Sequence, residues 1–198
     1  MELSAENLGK FFPYYLTEER KKGLLEALNN VPSRRYYANL ADPEPLQGDG
    51  WRGLKVRRFE DGALDGIKGI VLTNSCDLAG ENSRLMPVQV NFAPLISLDR
   101  YLNLPRTSGV SEQRTAQHAT DVRAQLVSHL FYLPADGCIG PEHIAFLHDI
   151  HSIPMSAFSR DGEKARLFSL SDIGFYLFVF KLSVHFCRLH ENIDRSVK

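Results

Sequence analysis

Ile67-Lys68-Gly69-Ile70-Val71-Leu72-Thr73 decides the fold. The run is short, apolar and preceded by Gly66, which marks a strand buried on both faces rather than a helix. Upstream, Leu54 and Val56 alternate with Lys55 and Arg57, the period of two of a half-buried strand. Gly62 and Gly66 bracket the turn between the two runs. Downstream, Val88, Val90 and Phe92 alternate with Gln89 and Asn91. Pro87 stands near the start of that strand, where a missing N–H is tolerated. Leu95-Ile96-Ser97-Leu98 continues the strand or begins a bend, and Ser97 or Asp99 caps a short helical turn through Leu102. The stretch 48–98 is therefore a β core.

Helical patterns flank this core. Ser4 caps a helix over 4–12 with Leu8, Phe11 and Phe12 on its apolar face, and Pro13 stops it. A second helix runs over 18–28, after Thr17, with Leu24, Leu25 and Leu28 inward. Residues 1–40 thus form a helical N-terminal segment. The breaker-rich residues 41–50 connect it to the β core. Past the core, Ser111 caps a helix expected over 111–133, in which Ala119, Val122, Leu126, Leu130 and Leu133 recur at helical spacing. Residues 143–150 and 165–170 read as further strands, so 143–170 is strand-bearing. A last helix is expected over 172–190. Gly174, Lys181, His185 and Arg188 fall on one narrow stripe of it, and almost everything else is apolar. Such a helix is buried on more than one side, either within its own core or against a partner or second copy. The whole reads as one α+β domain: a small bent antiparallel sheet, or an SH3-like partly open barrel, flanked by helices and closed by a long buried C-terminal helix.

Composition narrows the function classes. The 198 residues carry 23 Lys+Arg and 24 Asp+Glu, a net charge of -1, with 43% hydrophobic residues. Enough apolar surface is present to fold without disulfides or metal. The charge balance excludes a general polyanion binder and leaves room for a local patch. Cys76, Cys138 and Cys187 are odd in number and far apart, which points to a reducing cytoplasm rather than a disulfide framework. The acidic N-terminus lacks the marks of a signal peptide, and the apolar run 173–180 is too short for a bilayer, so no membrane association is expected.

Three groupings of residues bear on chemistry. Thr73-Asn74-Ser75-Cys76-Asp77-Leu78 follows the buried strand, where loops display functional groups. Cys76 reads as a nucleophile, as part of a metal site with Asp149 and His151, or as a small buried residue in an Asx-type turn. Asp77 beside it raises rather than lowers a thiol's pKa, so a nucleophile would need a distant His. His143, His148 and His151 invite a metal. On a continuous strand, however, only His143, Asp149 and His151 share a face, and H-E-x-x-H and C-x-x-C motifs are missing. The expectation is no metal and no cofactor. Two basic patches have aromatic neighbours: Arg34-Arg35-Tyr36-Tyr37 and the run from Trp51 and Arg52 through Lys55, Arg57 and Arg58 to Phe59. Cations for phosphate and rings for base stacking describe a nucleic-acid surface. An ordinary solvated strand edge guarded by cations reads the same way. Nucleotide-cradling loops and the G-x-S-x-G elbow are lacking.

Residues 48–98 resemble the small β-barrel of PemK/MazF-like toxins. Gly48-Asp49-Gly50-Trp51 is similar to that family's opening Gly-Asp turn. Gly66 to Thr73 is similar to its Gly-led loop and the strand ending in Thr, and Val88 to Phe92 stands as the next barrel strand. The resemblance implies a barrel-like core and ribonuclease chemistry on an Arg before the strand and a Thr near its end. Thr73 matches the Thr, whereas Ile67-Lys68 stands where an Arg-Pro is expected.

Three functions follow as expectations. The first is a non-catalytic binding or regulatory module of a bacterial system, of the defence or toxin–antitoxin kind, meeting a protein partner or a second copy through the last helix. The second is a toxin-like ribonuclease or RNA-binding protein using the basic strand and Thr73. The third is an enzyme dependent on Cys76.

Overall fold

The computed structural model describes residues 36–40, 44–80, 85–107, 109–160, 162 and 164–186. The expected helices over 4–12 and 18–28, Arg34, Arg35 and the end of the last helix lie outside them. The described chain is α+β. In order it forms β1 (Tyr37–Ala38), β2 (Gly50–Arg57), β3 (Leu64–Val71), α1 (Ser75–Leu78), β4 (Gln89–Ser97), α2 (Leu98–Thr107), α3 (Glu112–Arg123), β5 (Leu130–Leu133), β6 (His143–Phe146), β7 (His151–Pro154), α4 (Met155–Arg160), β8 (Ala165–Leu170) and α5 (Asp172–Phe186). No helix among the described residues is long and apolar enough to cross a membrane.

The strands make one antiparallel sheet in the order β1-β8-β2-β3-β4-β6-β5, with β7 also on β4. It curls into a half-barrel. The 67–73 run is its centre: Ile70 pairs with Gly50 on one side and Ala93 on the other. Alternation then sorts the apolar residues onto two faces. Ile70, Ala93, Leu95, Phe131, Leu133, Phe168 and Leu170 point to one face and share a core with Leu177 and Phe178 of α5. On the other face Leu54, Val71, Val90 and Phe92 pack under α1 and α4, with Leu78 and Phe158. Further along that face, Leu130 and Ile144 pack under α2 and α3 with Leu98, Leu102, Ala119 and Val122. Burying a side chain such as Phe131 or Phe178, whose rings meet at 5.0 Å, contributes about 2–3 kcal/mol relative to exposure.

Two details set the geometry. A bulge in β2 lies between Trp51 and Leu54, and Gly53 within it has φ +79°. The extra residue lets Trp51 and Leu54, three apart, face the same core. Gly174 brings α5 down onto β1: a Cβ there would sit 2.5 Å from the Tyr36 carbonyl oxygen.

Several expectations are corrected. The helix expected over 111–133 stops at Arg123, and its last four residues are β5. Leu126, expected inward, is exposed. Residues 143–150 are not one strand: β6 ends at Phe146 and a turn leads to β7. Of the two readings of Leu95 to Leu98, continuation of β4 holds as far as Ser97, and the helical turn after it, expected to end at Leu102, extends to Thr107. The last helix, expected to be buried on more than one side, is partly buried, and Gly174 and Lys181 of its stripe are on the buried face with Leu177 and Phe178.

Candidate functional site

Thr73 leaves β3 with its hydroxyl engaged. The oxygen accepts from the Asn91 N–H at 2.7 Å and donates to the Gln89 carbonyl at 3.1 Å, tying the loop to β4. Asn74 caps α1 by accepting from the Cys76 N–H at 2.9 Å. The Ser75 hydroxyl accepts from the Gln47 N–H at 3.0 Å. The Asx turn weighed from the sequence is therefore present. Cys76 is exposed on α1, not buried, and Asp77 lies in the same turn. Leu78 anchors that turn in the core. Thr73, Cys76 and Asp77 are neighbours in one loop whose polar atoms largely hold the loop itself together.

The histidines separate. The β6–β7 turn breaks the face that His143 and His151 were expected to share. His143 is buried, and burial first and then Lys68 push its pKa down. His151 meets Asp149 at 3.2 Å and stacks on Phe92. His148 meets the ring of His129 at 5.2 Å. Among the described residues, no group of three or more His, Cys, Asp or Glu is arranged to hold a metal ion.

The basic strand divides into internal and outward residues. Tyr36 is buried. Trp51 is half-buried, edge-on to Phe158 at 5.0 Å and covered by the Arg166 guanidinium at 5.2 Å. Both rings belong to the fold. Arg58 pairs with Asp61 at 2.9 Å and Asp65 at 3.5 Å. Arg57 donates to the Gly62 carbonyl at 3.2 Å. Arg52 is exposed and Lys55 half-buried. The ladder gives their arrangement. Lys55 is opposite Gly66 and Arg57 opposite Leu64, while Val56 is opposite Asp65. Lys55, Arg57 and, two residues beyond Gly66, Lys68 therefore share one face. Val56 and Ile67 pack against the core on the other.

The sequence gives no sign of a further site at the two ends of the sheet. There the half-barrel is drawn together by tyrosines: Tyr36 donates to the Tyr132 carbonyl at 3.1 Å and Tyr37 to the Pro134 carbonyl at 2.7 Å. A cleft of about 600 Å³ opens beside this seam, lined by Tyr37, Leu40, Asp136, Cys138, Arg166 and Ser169 among others. Behind it Asp49, 1% exposed, holds Arg166 at 3.0 Å and accepts from the Leu46 N–H at 2.9 Å. Burial raises the Asp49 pKa, outweighing the Leu46 N–H, Ser169 and Arg166. Trp51 and Ser169 face this carboxylate too, without reaching full hydrogen-bond geometry. Arg166 also donates to the carbonyls of Leu40 and Glu44. Burial, then Asp136, pushes the Cys138 thiol up to about 11, and burial raises the Tyr37 phenol. At neutral pH the cleft thus presents a neutral thiol, a neutral phenol and an arginine already paired, a set suited to holding a ligand rather than attacking one. Asp49 and Arg166 are distant in the chain, so no local pattern announces their pairing.

A second polar network runs behind the seam. Gln125, at φ +60°, clamps Tyr132 through both its amide atoms, at 2.7 and 3.1 Å, and reaches the Tyr36 hydroxyl at 3.2 Å. Its own carbonyl accepts from the buried Lys181 ammonium. Tyr132 donates to Glu142, which Arg123 grips with two hydrogen bonds at 2.8 and 2.7 Å.

No family model matches the chain, and no match is found among curated proteins.

Proposed function

We propose that this protein is a non-catalytic binding module whose contact surface is the β2–β3 ribbon. One observation carries the reading. Thr73, Cys138 and Arg166 are held by the fold, while the outer end of the ribbon presents large apolar groups to solvent. Thr73 is engaged by β4, the Cys138 thiol is neutral, and Arg166 is paired with Asp49. By contrast, β8 pairs with β2 only over 50–52, and β4 pairs with β3 only over 69–71. Among the described residues, 54–57 and 64–67 pair with each other alone; one face of them packs on the core through Leu54, Val56 and Ile67, and the outer end runs past the neighbouring strands. At the tip Phe59 is 101% exposed and Leu64 60%. Large apolar groups so exposed at the end of a ribbon mark a contact surface.

The test is recovery of bound material with the full-length chain from cells that express it naturally. The double variant Phe59→Ser/Leu64→Ser is expected to lose the species that the unaltered chain retains. Thr73→Ser and Cys76→Ala are expected to retain them. The reading fails if the tip variant keeps the same species, or if Cys76→Ala abolishes a turnover that the unaltered chain performs.

A further inference from the structure

We propose that the face of the β2–β3 ribbon carrying Lys55, Arg57 and Lys68 binds single-stranded nucleic acid, with Phe59 stacking on one base; this rests on the binding-module reading above. Four observations converge on it. The antiparallel register separates charge by face. Lys55 opposite Gly66, Arg57 opposite Leu64, and Lys68 next along β3 put three cations on one face of the ribbon, a face to which the ribbon's own strands contribute no acid. The ribbon's acids are elsewhere: Asp65 is on the opposite face, Glu60 and Asp61 are in the turn, and Arg58 pairs with both aspartates. Gly66, between Lys55 and Lys68, adds no side chain, and the Lys55 ammonium nitrogen lies 3.9 Å from where a Cβ there would be. The row also runs toward the sheet, where burial first and then the Lys68 charge lower the pKa of His143.

Phe59 then selects the form of the polyanion. Nothing in the described fold covers this ring. A base stacks on such a ring only when its own face is free, which single strands offer and a paired duplex does not. Three cations beside one aromatic platform make a small site that needs no net positive charge on the whole protein. The near-neutral total is therefore no obstacle.

The experiment is fluorescence anisotropy of the full-length chain with labelled single-stranded RNA, single-stranded DNA and a duplex of the same sequence, between 50 and 200 mM salt. The expected result is binding to the single strands over the duplex, with log K falling against log salt at a slope of about -2 for three phosphate contacts. Lys68→Gln is expected to make that slope shallower by about 0.7. Phe59→Ala is expected to weaken binding roughly fivefold to 150-fold and leave the slope unchanged, because it removes a stack and no charge. Both residues are exposed, so circular dichroism of the two variants is expected to match the unaltered chain. A ratio of RNA to DNA affinity above or below one assigns the natural strand. The proposal is overturned if no oligonucleotide binds at 50 mM salt, if the duplex binds as well as the single strands, or if binding survives Lys55→Gln/Arg57→Gln/Lys68→Gln unchanged. If no oligonucleotide binds while the Phe59→Ser/Leu64→Ser variant still loses its cellular partner, the ligand class falls and the binding module stands.

Discussion

Thr73 shows how one residue type supports two readings. Its place after a buried strand is legible from the sequence, and so is the turn that follows. What its hydroxyl touches is not, because Gln89 and Asn91 reach it from another strand. With both bonds made to the backbone, Thr73→Val is expected to cost about 1–2 kcal/mol in urea denaturation, through a lost donor and an unmet N–H. Thr73→Ser keeps both bonds and is expected to stay within about 0.5 kcal/mol. A loss with Thr73→Ser equal to that with Thr73→Val would show that the hydroxyl is not what holds this loop. Asp49 is the opposite case: its flanking glycines are visible, its partner is not. Removing one member of a buried pair leaves the other uncompensated, so Asp49→Asn is expected to cost roughly 3 kcal/mol or more. Replacing both, as Asp49→Asn/Arg166→Met, is expected to recover much of that loss, and a double-mutant cycle measures it. Additive losses would mean that the contact between Asp49 and Arg166 is not the source of the effect.

Among elements, helical periodicity misleads between α3 and β5. Leu126, Leu130 and Leu133 keep the spacing set by Ala119 and Val122, but the chain leaves the helix at Gln125, in the left-handed region. The Gln125 side chain then holds Tyr132 in place of helical hydrogen bonds. A period read from residue types alone cannot register that clamp, since four-residue strands and helix ends share the same short apolar patterns. In α5 the periodicity is right, and part of its polar stripe lies inward because Lys181 turns to the Gln125 carbonyl. Burial holds Lys181 at a pKa of about 8, against its ordinary 10.5. Between those values the unfolded chain keeps a proton that the folded chain has released, so stability rises with pH across that window. The size of the rise is at most roughly 3 kcal/mol. Above pH 9 the Cys138 thiol, and above pH 10 the buried Tyr36 and half-buried Tyr37 phenols, hold protons that unfolded ones lose, so the rise is offset and stability then falls. Urea denaturation from pH 7 to 11 is therefore expected to show a maximum near pH 9–10. Lys181→Met is expected to remove the rising limb and keep the falling one. A rising limb that persists in Lys181→Met would assign it to another group.

At the scale of the molecule, an α+β chain with a bent antiparallel sheet is legible because its central strands announce themselves by alternation. The closure is not legible, since it joins the two ends of the sheet through side chains. β1 and β5 make no ladder with each other. Instead Tyr36 and Tyr37 reach the carbonyls of Tyr132 and Pro134, and α5 seals the inner core beside them. Two hydroxyls thus stand where a barrel has a row of backbone bonds, and the seam is expected to be the least stable part of the curled sheet. Each bond is worth about 1 kcal/mol, so Tyr36→Phe/Tyr37→Phe removes about 2 kcal/mol from the closure. Hydrogen exchange at the β1–β8 pair, Tyr37 with Leu170 and Ala38 with Ser169, is then expected to accelerate about 30-fold if it proceeds by local opening. Ile70 and Val71, in the middle of the sheet, exchange only through global unfolding and are expected to follow the change in overall stability alone. Because global unfolding breaks the same two bonds, both places accelerate alike, and the seam is read from the opening free energy itself: equal protection of β1 and of Ile70 and Val71 in the unaltered chain would mean that the sheet opens as one unit and that the tyrosines do not form a separate seam. The unaltered chain is expected to show β1 exchanging first, because its closing bonds come from two side chains and its central strands from continuous ladders.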